Sequence, residues 1–252
     1  MTFVSLNLVA ETEYAKTFDP RCVHPSRFGE FIHDTRFPDR TNGNQLRRVR
    51  CNPGELKALL EEIERLYRGT DLSYRKMSGH DPSTWDHLKN TLPPRGWSIK
   101  KESMKVLDEG PDPALASDLS IQVLEPDAPD LEQLFTADGK LDRGFQFLRT
   151  RYERLGGQYV VGYAGGEPVS TTGWYAVAGV ARFRYVYTKP SARGRGYASS
   201  LIKYICSLPE VAAQKGIAIF VGAEGPEQLY EALGFRTKGY FFEALLGSED
   251  GL

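Results

Sequence analysis

The residues most able to do chemistry stand in one run, Arg193-Gly194-Arg195-Gly196-Tyr197-Ala198-Ser199, where an alternating apolar stretch gives way to a helical one. From residue 198 onward Ala198, Leu201, Ile202 and Ile205 fall on one helical face, so the two glycines occupy a strand-to-helix turn. Glycine there lets the backbone approach a ligand closely, and the first amides of the helix point outward with the positive end of the helix dipole behind them. Such a turn binds phosphate. Arg193 and Arg195 add charged donors, which suits a ligand with several phosphate oxygens, a diphosphate best of all. A merely flexible Gly-Arg-Gly turn is the competing reading. Two other phosphate loops are excluded by spacing: the chain has neither G-x-x-x-x-G-K-[ST] nor an early G-x-G-x-x-G opening a helix.

Other reactive side chains are less telling. Cys206 lies in an apolar helical stretch with no activating base in its pattern and reads as core filler. His24, His33, His80 and His87 show no paired ligand spacing, even with Cys22 nearby, and no metal is expected. Trp174, Tyr175, Arg182, Arg184 and Tyr185 could line a pocket, although alternate residues of a strand face opposite sides and only some of them can do so.

The elements that must position the loop alternate between strand and helix. Before it come a strand at 119–124, one or two helices in 131–155, a hairpin at 158–170 turning on Gly165-Gly166, and a strand at 177–187. After it come a helix at 198–207, a strand at 217–221, a helix at 226–233 and a strand at 239–246. Nearer the start, residues 46–51 and 72–77 read as strands. A helix opened by Asn52-Pro53 buries Leu56, Leu59, Leu60, Ile63 and Tyr67; a second, capped by Asp81, buries Trp85 and Leu88. Gly96 ends that helix, and residues 97–107 read as a strand.

This alternation predicts an α/β protein with a mixed sheet covered by helices. The segment 108–118, with two prolines, a glycine and four acidic residues, reads as a linker. The expected division is an arm at 1–44, an α/β domain at 45–108, a linker at 109–118 and a second domain at 119–252. Gly96 to Leu107 and Gly234 to Leu245 both place Gly-aromatic between a helix and a closing strand, by coincidence or because the chain is a tandem repeat.

Over 252 residues, 40% hydrophobic and 26% charged content with 13 Tyr and 13 Phe describes an ordinary globular chain. A net charge of -1 gives no global field favouring nucleic acid or an anionic membrane. Three scattered cysteines, Glu11 and Glu13 in place of a basic leader, and no apolar run near membrane-spanning length lead to the expectation of a reducing, cytoplasmic setting.

Two motifs carry a resemblance. Residues 193–198 match the Q/R-x-x-G-x-G/A signature of the GNAT superfamily of N-acetyltransferases, and Tyr185 to Pro190 resembles its preceding strand. Downstream, Leu229-Tyr230-Glu231-Ala232-Leu233-Gly234-Phe235 is similar to the family's "LYekLGF" element at the expected separation. The resemblance covers residues 119–246 and implies the GNAT fold with acetyl- or another acyl-coenzyme A as co-substrate and no metal. It implies that Val186, Tyr187 and Thr188 hold the pantetheine arm and that residues 193–199 hold the pyrophosphate. A backbone N-H of Val186 or Tyr187 would face the carbonyl oxygen, and Tyr230 would protonate the departing thiolate as general acid. On spacing alone Tyr230 reads as a packing residue, and it is the motif that gives it the catalytic role. Glu224 is the nearest acidic candidate for a base, and Ala223 stands where family members often carry asparagine. The implied reaction is direct acyl transfer to a primary amine, a small molecule by preference; a protein N-acetyltransferase and a non-catalytic acyl-coenzyme A sensor are the other readings. The first half lacks a counterpart of the loop and resembles the degenerate first domain of tandem GNAT proteins.

Overall fold

The computed structural model of the chain describes residues 4–16, 20–111, 114–116, 118–137, 140–223 and 225–247. In chain order the first elements are α1 (Leu6–Lys16), β1 (Val23–Ser26), β2 (Gly29–His33), β3 (Asn44–Arg47), α2 (Leu56–Tyr67), β4 (Arg75–Gly79), α3 (Pro82–Thr91) and β5 (Trp97–Leu107). Then follow β6 (Ser120–Leu124), α4 (Pro129–Phe135), β7 (Thr136–Ala137), β8 (Lys140–Leu141), α5 (Arg143–Leu155), β9 (Gln158–Ala164), β10 (Glu167–Val177) and β11 (Val180–Thr188). The last are α6 (Tyr197–Ser207), α7 (Pro209–Ala212), β12 (Gly216–Gly222), α8 (Glu227–Ala232) and β13 (Phe235–Leu246).

The chain folds as two compact units, and neither is a contiguous half. One comprises residues 1–16, 104–221 and 225–238; the other comprises 17–103, 222–224 and 239–252. The composition shift at 109–118 therefore does not mark the division, because β5 and β13 each run through it.

The smaller unit has the antiparallel series β1-β2-β3, a parallel bridge from β3 to β4 at Leu46 and Met77, and β13 antiparallel to β4 over residues 242–246. Its helices behave as their sequences require. On α2, Leu59, Ile63 and Tyr67 are buried at one-turn spacing, with Leu56 and Leu60 packed at the edge of the same core. On α3 the Asp81 carboxylate accepts the Thr84 amide at 2.8 Å, and Trp85 and Leu88 are buried.

Residues 1–44 are not an arm. Residues 23–33 and 44–47 are strands of the smaller unit, with Pro25 tolerated because β1 lies at the sheet edge. Residues 6–16 form α1, which belongs to the larger unit and buries Val9, Ala10 and Tyr14 together with Thr12 and Glu13.

The larger unit orders its strands β6-β9-β10-β11-β12, antiparallel except for the last pair. Gly165 and Gly166, at φ 61° and 84°, make the two-residue turn between β9 and β10. A second turn of this kind, Ala178-Gly179 at φ 52° and 83°, joins β10 to β11, so Val177 closes β10 and the third strand starts at Val180. The connection from β11 to the parallel β12 runs through α6 and α7; α6 buries Tyr197, and its Leu201, Ile202 and Ile205 share a core cluster with Phe183, Phe235 and Val160. Three antiparallel strands, a loop, a helix, a parallel strand and a short helix thus occur in both units, as β1-β2-β3-α2-β4-α3 and β9-β10-β11-α6-β12-α8.

The last strand starts at Phe235, four residues before the expected position, because Gly234 turns the chain sharply out of α8 at φ 90°. A Cβ on Gly234 would overlap the carbonyl oxygen of Glu109, a backbone atom that cannot swing aside. Gly234→Ala combines that overlap with left-handed strain and is expected to cost about 2–4 kcal/mol in urea unfolding. A loss below about 1 kcal/mol would show that the turn is not held this tightly.

Candidate active site

The site is built where two parallel strands separate. β11 and β12 pair only through Val180–Gly216, Ala181–Ile217 and Arg182–Ala218, after which β11 continues to Thr188 and β12 to Gly222 without bonding each other. On its other side β11 remains bonded to β10 up to Ser170–Thr188. From Phe183 to Thr188, β11 has no register partner in β12 among the described residues. A cavity of about 220 Å³ opens in the gap, walled by Phe183, Arg184, Tyr185, Val186, Ile219, Phe220 and Tyr230.

An irregularity sits at the same level. Thr171 pairs with Tyr187 and Gly173 with Arg184, so the single residue Thr172 faces both Tyr185 and Val186. Tyr185 takes φ 53°, a left-handed conformation that costs an L-residue about 1 kcal/mol or more. This bulge turns the strand at the cavity wall and re-aims the groups that follow. Beyond it, Ser170 Oγ donates to the Tyr187 carbonyl at 2.9 Å and lies 2.8 Å from Thr188 Oγ1, which fixes the strand end that leads into the loop.

The loop has the shape its composition demands. Gly194 and Gly196 take φ 78° and 79°, and a Cβ on either would meet nothing within 4 Å, so their outer side is open. The amides of Gly194, Arg195, Gly196, Tyr197, Ala198 and Ser199 find no acceptor among the described residues; the first α6 amide that does is Ser200, bonded to the Gly196 carbonyl at 3.0 Å. Six successive unsatisfied donors at a helix N-terminus form an anion cradle. Arg193 Nε holds the Thr188 carbonyl at 3.2 Å, tying the loop to the strand, while Arg195 is exposed. Tyr197 contributes its amide alone, because its ring is buried and its hydroxyl donates to Asp118 Oδ2 at 2.5 Å.

Tyr230 stands in the cavity wall, 5% exposed, with its ring edge-on to Phe235 at 6.2 Å. Its hydroxyl makes no hydrogen bond among the described residues. Burial pushes the phenol up to about 12, with the Arg182 charge pulling the other way, so the hydroxyl keeps its proton at neutral pH. Glu224 lies outside the described residues. Of the other pocket candidates, Arg184 and Tyr185 reach the cavity, whereas Trp174, Tyr175 and Arg182 are buried and do not line it. Burial pushes the Cys206 thiol up to about 12, which leaves it a poor nucleophile. No group of three or more His, Cys, Asp or Glu side chains is placed to hold a metal among the described residues.

Comparison with known proteins fits this geometry. Residues 152–237 match the family model described as an acetyltransferase (GNAT) domain. That segment is similar to a GNAT domain. The whole fold is similar to a GCN5-related N-acetyltransferase from Kribbella flavida, with 17% identity over 98% of this chain and 97% of that one at a TM-score of 0.69. It is also similar to a tandem GNAT protein from the clavulanic acid biosynthesis pathway, with 15% identity over 96% and 93% at 0.59. A functionally unknown conserved protein from Staphylococcus epidermidis ATCC 12228 aligns at 11% identity over 88% and 92%, again at 0.69. No curated protein matches the chain.

What the sequence missed is Glu13 of α1, whose carboxylate accepts Arg182 Nη2 at 2.8 Å while both side chains are buried. The spacing of Val9, Ala10 and Tyr14 was the available signal for the helix, and the buried acidic residue on the same face masked it.

The exposed position of Arg195 makes the loop testable. Arg195→Ala removes an exposed charge next to the amide run without touching the core, and it is expected to weaken coenzyme A binding about three- to tenfold. The loss should shrink as salt is raised in a calorimetric titration. An unchanged affinity at low salt would place the diphosphate elsewhere.

Proposed function

We propose that the larger unit transfers an acetyl or another short acyl group from coenzyme A to a primary amine of a small molecule. One observation carries this reading: the pairing of β11 with β12 stops at Arg182, and the cavity that opens there has Tyr230 in its wall and the free amides of residues 194–199 at the end of the same strand.

The residues fit an acyl-coenzyme A. The amide run with Arg193 and Arg195 suits a diphosphate, and the stretch Val186, Tyr187 and Thr188, which has no register partner in β12, suits a chain of amides laid alongside it as an added strand. The thioester supplies an activated acyl carbon. Overall, the amine nitrogen gains the acyl carbon and loses a proton, while the sulfur leaves the carbon and gains one. Tyr230 holds a proton at its hydroxyl where the sulfur would depart, and a backbone N-H of Val186 or Tyr187 at the bulge would meet the negative charge that develops on the carbonyl oxygen. The proton lost by the amine passes to water or to a base outside this set.

The smaller unit is read as a degenerate second copy. At the equivalent place in the order, the loop from Arg48 to Glu55, the chain supplies a carboxylate of its own: Glu55 Oε2 accepts the Asn52 amide at 3.2 Å and Asn52 Nδ2 at 2.7 Å, and Oε1 accepts Arg27 at 2.5 Å. A carboxylate of the chain thus takes the donors that a phosphate would need, and these contacts hold the Glu55 carboxyl below the usual range. Cys22, Cys51 and Cys206 form no disulfide among the described residues, which agrees with the reducing, cytoplasmic setting proposed for the chain.

The test combines calorimetric binding of coenzyme A with thiol release from acetyl-coenzyme A over a panel of amines. Binding without release for any amine would leave a binding module, and absence of both would overturn the reading.

A further inference from the structure

The helix that carries Tyr230 is short. α8 spans only Glu227–Ala232, less than an isolated helix needs to be stable in water, and within it only Tyr230 is buried. Tyr230 and the following Leu233 pack in the core of the larger unit, with Leu229 at the edge of the same cluster. Apolar contact is non-directional, so it sets the depth of the Tyr230 ring better than the angle at which the hydroxyl meets the cavity.

Lys105 of β5 supplies the direction. Its side chain is fully buried, and Nζ meets three oxygens: Thr237 Oγ1 at 3.1 Å, Glu231 Oε1 at 3.2 Å and Glu227 Oε2 at 3.3 Å. An ammonium has three protons to donate, and three acceptors stand around this one. Glu227 and Glu231 are one helical turn apart and bracket Tyr230 in sequence, so a single cation grips both turns of α8 from one side. Thr237 ties the same cation to β13, and Arg236 Nη1 donates to the Glu231 carbonyl at 2.7 Å, at the end of the helix. All of these residues belong to the larger unit, and Lys105 is not in the cavity wall. A buried ammonium gives up its hydration, and an apolar side chain of similar volume would fill the place without that cost. What the ammonium adds is geometry.

We propose that Lys105 is a positioning residue for the proton donor: through Glu227 and Glu231 it sets the orientation of α8 and so aims the Tyr230 hydroxyl at the place where the thiolate departs. The inference rests on the acyl-transfer reading with Tyr230 as the acid, and it adds a residue outside the cavity on which that role depends.

The test measures thiol release from acetyl-coenzyme A by the full chain, with an amine that the unmodified chain accepts. Lys105→Met and Glu231→Gln are each made alone and in combination with Tyr230→Phe, and calorimetric coenzyme A binding and urea unfolding are followed for every variant. Lys105→Met is expected to lower kcat by about ten- to thirtyfold and to leave coenzyme A affinity within about threefold, because a displaced acid slows the transfer without loosening the cofactor. Glu231→Gln leaves Lys105 its other two acceptors and is expected to lower kcat by about three- to tenfold. With Tyr230→Phe already in place, neither change should lower kcat by more than about a further twofold, since no hydroxyl is left to aim. A fall by the same factor in both backgrounds is what a purely structural role gives, and it overturns the proposal. So does wild-type kcat in Lys105→Met. If Lys105→Met does not fold, Glu231→Gln decides by the same comparison. Wild-type turnover in Tyr230→Phe alone removes the acid role and this inference with it, while acyl transfer stands. Binding of coenzyme A with no thiol release from any amine overturns the acyl-transfer reading as well.

Discussion

Tyr230→Phe is expected to lower kcat by about 10²- to 10³-fold while leaving the affinity for coenzyme A within about twofold. The substitution deletes one oxygen and keeps the ring that packs edge-on against Phe235. That oxygen has no hydrogen-bond partner among the described residues, so its loss leaves no donor or acceptor stranded and should change stability by less than about 1 kcal/mol. The effect is therefore separable from damage to the fold. Because burial raises the phenol to about 12, Tyr230 stays protonated through the whole working range. Any alkaline fall in rate below about pH 10 must then belong to another group. The same shift has a stability consequence. The folded chain keeps this proton to about pH 12, whereas an unfolded tyrosine loses it near 10, so this contribution to stability is complete below about pH 10 and is lost as pH rises through that window. Wild-type turnover in the phenylalanine variant would show that the leaving sulfur is protonated by water and that the domain uses Tyr230 only for packing.

The parts of this site that were legible in the sequence are those whose signal is local. Glycines at a strand-to-helix switch announce an anion cradle because only such residues allow left-handed backbone there, and Gly194 and Gly196 adopt it. The limits of β5, the cap at Asp81 and the Gly165-Gly166 hairpin were readable for the same reason: each depends on side chains within a few positions of one another. The parts that were not legible depend on distant partners. On α1 the buried face includes Thr12 and Glu13, which look like surface residues until Tyr175 and Arg182, more than 160 positions later, are brought against them. The bulge at Tyr185 places an aromatic residue at positive φ, which no composition rule anticipates. Ala178 in a two-residue turn defeats the usual Asn or Gly signal. The limits of the two units were hidden because β5 and β13 are each uniform in pattern although each divides between units.

Glu13 and Arg182 supply the second large expected effect. Glu13→Ala should destabilise the larger unit by about 3–5 kcal/mol in denaturant unfolding, because it leaves a fully buried guanidinium without its carboxylate. Arg182→Met should cost a comparable amount by burying the Glu13 carboxylate without that partner and by losing the guanidinium stacked on Phe220. The double variant Glu13→Leu with Arg182→Met should be much closer to wild type than the sum of the two, since an apolar pair of similar volume has no desolvation to offset. Additive losses would mean that the two side chains are stabilised separately. The cycle also bears on catalysis, because Arg182 is the charge that moderates the Tyr230 phenol. Removing it should raise the phenol further and make Tyr230 a weaker acid. With Tyr230 as the proton donor proposed above, turnover in the double variant is then expected to fall even where stability is restored, because the Arg182 charge that opposes the burial of the phenol is gone.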